Sequence, residues 1–122
     1  GNAHFRSGRY GQALECYSEA IDAEAASEQA GGAAFGSQLY CNRAACRLRL
    51  SDPDGALVDA GRAVQLDRGS SKAFFRKGRA FLALGRHNDA LDCLERARAL
   101  APGEAGAELD GLIAECARHL PG

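Results

Sequence analysis

The stretch "SKAFFRKG", residues 71–78, sets Lys72 and Arg76 four apart, so a helix would stack both cations on one face. Arg79, three further on, extends that face, Phe75 lies beside it, and no acidic residue follows until Asp89. Such a face suits a carboxylate ligand. Lysine supplies a point charge with three donors, and arginine a planar fork that can hold both oxygens of one carboxylate. An asparagine amide adds a donor without the repulsion of another cation, and Asn42 stands 34 residues before Arg76.

Other chemistry is poorly represented. His4, His87 and His119 have no serine, cysteine or aspartate partner at a spacing that suggests nucleophilic or acid–base catalysis. The chain therefore reads as no enzyme, with no catalytic residue and no cofactor. The five cysteines, Cys16, Cys41, Cys46, Cys93 and Cys116, form no Cys-x-x-Cys pair and mostly occupy apolar helical positions. They read as reduced, small hydrophobes of a cytoplasmic protein, with no metal site. A redox role for Cys41 and Cys46 is the sharper and less economical alternative. Fifteen Lys and Arg against 16 Asp and Glu leave a net charge of −1, which argues against nucleic acid as a partner. No apolar run approaches the ~20 residues a bilayer requires, so no membrane partner is expected. The chain opens on "GNAHF" rather than methionine and reads as a piece of something longer, in which targeting cannot be judged.

The elements that must position these residues follow from an internal repeat. "GRHNDALDCLERARALAP" carries Gly85, His87, Ala90, Leu94, Ala97 and Pro102. "GRYGQALECYSEAIDA" carries Gly8, Tyr10, Ala13, Tyr17 and Ala20 on the same spacing. The middle copy, "SDPDGALVDAGRAV", keeps Ala56, Ala60 and Ala63, with Pro53 in place of the aromatic. Ala56 and Ala90 are 34 apart, and Ala13 and Ala56 are 43 apart, which is one period plus an insertion of nine. Each copy follows a second helical pattern, with a small residue at Gly1, Ala44 and Gly78 and an apolar one at Phe5, Leu48 and Leu82. Small residues let paired helices approach closely. The unit is thus helix A, a turn, and helix B, with turns marked by Gly8, by Ser51-Asp52-Pro53 and by Gly85.

This pattern resembles the tetratricopeptide repeat (TPR). The fold it implies is all-α: three tandem TPR helix-turn-helix repeats plus a C-terminal capping helix, in a right-handed α-solenoid with a concave groove. Residues 1–122 form a single TPR domain. Repeat 1 is truncated to 1–27, with the nine-residue insertion around 28–36, repeat 2 spans 37–70 and repeat 3 spans 71–104. A capping helix at 105–120 carries Leu109, Leu112, Ile113, Cys116 and Leu120 on one face. The insertion reads as a lengthened first helix B, a turn at Gly31-Gly32 and an early start to the next helix A. A partner-binding role for the last helix is the alternative to capping.

The A helices line the groove of such a solenoid. Arg76 and Asn42 share one register, flanked on the second repeat by Cys41, Ala45 and Arg49; Asn2, Phe5 and Arg6 are the matching group on the first. Lys77 and Arg43 read as ordinary solvated cations. Glu15, Glu19, Asp22, Glu24 and Glu28, with Glu104, Glu108, Asp110 and Glu115, balance the charge elsewhere. A cationic groove results, which would concentrate an acidic ligand.

"GNAHF", "YCNRAA" and "SKAFFRKG" further resemble the carboxylate-clamp TPR domains of co-chaperones, the UNC-type myosin chaperones, and TPR-bearing phosphatases and immunophilins. That resemblance implies a clamp of Asn2, Asn42, Lys72 and Arg76, with Phe5, Arg6, Cys41, Ala45, Arg49, Phe75 and Arg79 along the peptide groove. The family's fifth clamp residue, a basic one four before the first asparagine, falls ahead of Gly1. The implied ligand is the acidic Glu-Glu-Val-Asp tail of the cytosolic heat shock protein 90 or 70 chaperones, with upstream residues deciding between the classes. A terminal aspartate offers two carboxylates. Bonds to charged groups contribute about 1.5–3 kcal/mol each, and three or four, less desolvation and ordering, leave about 7–8 kcal/mol, or micromolar affinity. The implied module is a co-chaperone adaptor, monomeric as an isolated domain. The alternative is a scaffold for a non-chaperone complex that uses the convex face or the insertion.

Overall fold

The computed structural model describes residues 2–26, 32–103 and 106–119, with side chains described from residue 8 onward and to 25 in the first stretch. Six helices account for nearly all of them: α1 Asn2–Ala26, α2 Ala33–Arg49, α3 Pro53–Leu66, α4 Ser71–Ala83, α5 His87–Leu100 and α6 Ala107–Arg118. Each helix packs on the next, and α2 also reaches α4. Two antiparallel pairs, α2/α3 and α4/α5, stack side by side, with α1 on one flank and α6 on the other. Among the described residues there is no strand, and no helix is long and apolar enough to cross a membrane.

The turns follow local chemistry. Asp52 caps α3 by accepting from the Gly55 N–H at 3.0 Å, and Pro53 opens the helix where its missing N–H costs nothing. Ser70 caps α4 by accepting from the Ala73 N–H at 3.1 Å. Gly85, at φ 76°, reverses the chain after α4, and the Arg86 N–H closes back on the Phe81 carbonyl at 2.9 Å. Gly32, at φ 92°, stands immediately ahead of α2, as expected for a glycine turn and an early start to that helix.

The expected turn at Gly8 does not form: α1 runs unbroken from Asn2 to Ala26. Glycine inside a helix costs only about 1 kcal/mol.

The core is built on small residues. Ala44, Ala56, Ala60 and Ala80 are fully buried where α2, α3 and α4 meet. Cys41, Ala63 and Ala73 form a second cluster. Phe81, Ala90, Cys93, Leu94, Ala97, Leu109 and Cys116 form the largest. Gly78 explains the small-residue position of the repeat, because a Cβ there would lie 2.7 Å from the Leu94 side chain. Leu109 and Cys116 are buried against the end of the last pair, so α6 covers an apolar face that the solenoid would otherwise expose.

Two hydroxyls repeat with the period of the sequence. Ser37, near the start of α2, donates to the Ala63 carbonyl at 2.8 Å, and Ser71, the first residue of α4, donates to the Ala97 carbonyl at 2.7 Å. A buried ionic cluster ties α1, α2 and α3 together. The Asp59 carboxylate, 1% exposed, accepts from Arg43 Nε and Nη2 and from Arg47 Nη1, and Arg43 Nη1 also donates to Ser18 Oγ. Arg43 is thus no solvated cation. Its bond to Asp59 raises its pKa further above the ordinary arginine value. Lys77 is also partly buried, its Nζ 6.0 Å from the centre of the Phe81 ring.

A cationic groove across the A helices

The concave side holds an open groove of about 730 Å³. Asn42, Ala45, Cys46, Leu48 and Arg49 of α2 form one wall, and Phe75, Arg76 and Arg79 of α4 the other. Tyr10 and Tyr17 reach it from α1, and Glu108 from α6. Helix α2 exposes this face because Ala44 of the same turns is buried against α3 and α4, leaving Asn42, Ala45 and Arg49 opposite. Helix α4 does the same, burying Ala73, Gly78 and Ala80 and turning Phe75, Arg76 and Arg79 outward.

The two helices meet at Asn42 and Lys72, with Lys72 Nζ donating to Asn42 Oδ1 at 3.4 Å. Oδ1 takes that bond, and the asparagine NH2 has no acceptor among the described residues. Arg76 is partly buried beside them, its guanidinium carbon 5.6 Å from the centre of the Phe75 ring. Its Nε is buried with no acceptor among the described residues. Burial, more than the neighbouring Arg79 and Arg49, pulls its pKa below the ordinary arginine value. Such a cation is short of both solvation and a counter-charge, and a carboxylate supplies the counter-charge.

Of the residues expected here, Asn42, Ala45, Arg49, Phe75, Arg76 and Arg79 line the groove, and Lys72 bonds to its wall. Cys41 does not: it is 1% exposed and packs with Ala63 and Ala73 in the core. Being next to Asn42 on a helix turns it roughly 100° away. Burial raises the thiol pKa of both Cys41 and Cys46, against the lowering pull of nearby cations. Asn2, Phe5 and Arg6 lie outside the residues whose side chains are described. Glu108, expected to balance charge away from the groove, instead sits in it, with its Oε1 2.7 Å from Arg79 Nη1. Tyr10 and Tyr17 stood out in the sequence only as repeat positions.

A family model described as tetratricopeptide repeat matches residues 47–116, and a second of the same description matches residues 1–27. The chain belongs to the tetratricopeptide-repeat family. It is similar to protein unc-45 homolog B of Xenopus tropicalis, at 34% identity over 102 residues that cover 84% of this chain and 10% of that protein. It therefore spans only about a tenth of the length of that relative. Among solved structures it resembles the first TPR of Spaghetti (RPAP3) bound to the HSP90 peptide SRMEEVD, with a TM-score of 0.79, 29% identity, and coverage of 96% of this chain and 84% of that one. It also resembles the second TPR domain of human RPAP3 in complex with the HSP70 peptide SGPTIEEVD, with a TM-score of 0.74, 31% identity, and coverage of 95% and 88%.

Proposed function

We propose that this domain is a protein-interaction module whose groove takes the acidic, free C-terminal tail of a heat shock protein 90 or 70 chaperone. Asn42, Lys72 and Arg76 hold the terminal carboxylates, and Asn2 completes the grip from the first repeat. Arg49, Phe75, Ala45 and Arg79 contact the residues upstream. The observation that carries the reading is Arg76: a partly buried guanidinium with an unaccepted Nε, beside the Asn42–Lys72 pair and open to the groove.

The chemistry suits that ligand. A terminal aspartate presents two carboxylates, one for the Lys72–Asn42 pair and one for the Arg76 fork. Both structural neighbours named above hold peptides ending in EEVD, which agrees with a tail ligand and leaves the chaperone class open. On this reading the domain is a co-chaperone adaptor of the cytoplasm, with no catalytic role of its own. Its repeats divide as 1–27, 37–70 and 71–104, with the cap at 105–120.

Calorimetric titration with SRMEEVD tests it. Micromolar binding that is lost when the peptide's C-terminus is amidated is the expected result. Equal binding of the amidated peptide, or of an internal segment with no free carboxylate, would overturn the tail reading and favour a scaffold of another kind.

A further inference from the structure

Glu108 is the one acidic side chain, among the described residues, that lines the cationic groove. It comes from the first turn of α6, a helix anchored elsewhere by the buried Leu109 and Cys116. Its Oε1 lies 2.7 Å from Arg79 Nη1, and it also borders a neighbouring cavity of about 410 Å³ together with Lys72 and Phe75. Arg79 and Arg76 flank the same Phe75 ring, their guanidinium carbons 5.9 and 5.6 Å from its centre. Two adjacent groove cations thus differ in occupancy. Arg76 has a buried N–H with no acceptor among the described residues, whereas Arg79 is already matched to a carboxylate of the chain itself.

We propose that Glu108 is a specificity-determining residue that competes with ligand carboxylates for Arg79. It thereby limits how strongly the groove reads acidic residues upstream of the terminal one. The inference rests on the tail reading above. A terminal carboxylate meets an Arg76 that no carboxylate among the described residues hydrogen-bonds, although Glu108 is near enough to act on its charge. A glutamate further up the tail gains Arg79 only by displacing Glu108, and a neutral residue there leaves the internal pair intact. The internal pair is solvent-accessible, at 40% and 66% side-chain exposure, so displacement is feasible and its cost is modest. The helix carries a built-in control. Asp110, also in the first turn of α6, pairs with Arg98 at 3.7 Å and does not line the groove.

The experiment measures the affinity of SRMEEVD and of SRMQQVD, in which both glutamates are replaced, for the wild-type domain, Glu108→Gln, Asp110→Asn, and Arg79→Ala alone and combined with Glu108→Gln. The expected result is a preference for the acidic peptide that rises about threefold in Glu108→Gln, stays at its wild-type value in Asp110→Asn, and gains nothing from Glu108→Gln once Arg79 is alanine. An unchanged or lowered preference in Glu108→Gln, or an equal rise in Asp110→Asn, overturns the inference while leaving the tail reading in place. If the wild-type domain binds free and amidated SRMEEVD alike, the tail reading falls, and this inference with it. Thermal unfolding of each variant checks that α6 remains docked.

Discussion

Arg43 grips both carboxylate oxygens of Asp59, at 2.8 Å through Nη2 and 2.9 Å through Nε, across the α2/α3 interface. Arg47 adds a third bond to the same carboxylate at 2.9 Å. Replacing Asp59 with alanine would leave two guanidinium groups facing a dry gap, and removing one partner of a buried pair costs about 3–5 kcal/mol. The urea midpoint of Asp59→Ala is therefore expected to fall sharply with little change in slope. A loss under about 1 kcal/mol would show the cluster to be solvated.

Binding should depend on the groove cations unequally. Arg76→Ala removes a fork and is expected to weaken SRMEEVD binding about tenfold or more, and Lys72→Ala by a similar factor. Arg76→Lys keeps the charge but loses the planar donors, so it should restore only part of the affinity. Arg49→Ala, on an exposed side chain at the rim, should act mainly through the association rate and its salt dependence. Stopped-flow and calorimetric titration at two ionic strengths separate these effects.

Gly78→Ala places a methyl where the Leu94 side chain already lies, 2.7 Å away. Overpacking of this kind costs about 1–3 kcal/mol. Shortening the opposing side chain should relieve it, so Gly78→Ala with Leu94→Val is expected to be more stable than the sum of the two single changes. A double-mutant cycle in urea reads the coupling directly.

The five cysteines should differ in reactivity according to their burial. Cys16 is exposed, while Cys41, Cys46, Cys93 and Cys116 are buried. Burial raises the pKa of each buried thiol above the ordinary value of 9.0. The thiolate is the reactive form, so a thiol reagent at pH 8 should label Cys16 quickly, Cys46 at the groove wall slowly, and Cys41, Cys93 and Cys116 only on unfolding. The sign for stability follows. Below pH 9.0 folded and unfolded chains both hold these protons; above it the unfolded chain releases them first, and stability declines as pH rises toward the folded values. A stability flat from pH 8 to 10 would mean that the thiols titrate normally.

Much of this fold was legible because it repeats. The alanines at 56, 60, 63, 90 and 97 marked the helix seams, and all are fully buried. Pro53 and Gly85 marked the turns between paired helices, and Leu109 and Cys116 the capping face. Register also identified Asn42 and Arg76 as sharing one groove, since equivalent positions of stacked repeats face the same way. What register does not encode is how far a long side chain reaches from another element. Arg43 resembles any exposed helical cation until Asp59 is found beneath it. Glu108, 29 residues beyond Arg79, belongs to no repeat position at all. Gly8 misled for a different reason: a glycine inside a helix costs only about 1 kcal/mol, so by itself it marks a turn weakly.

The hydroxyls of Ser37 and Ser71 make one bond twice, each from near the start of a helix A to a carbonyl near the end of its helix B. Each bond fixes how far that helix pair can open at the same end. The same bond recurs in successive units, so the two pairs are tied alike at that end, and likeness between units is what a regular stack rests on. The surface that a bound peptide would have to follow is therefore held in shape in part by two small hydroxyl side chains.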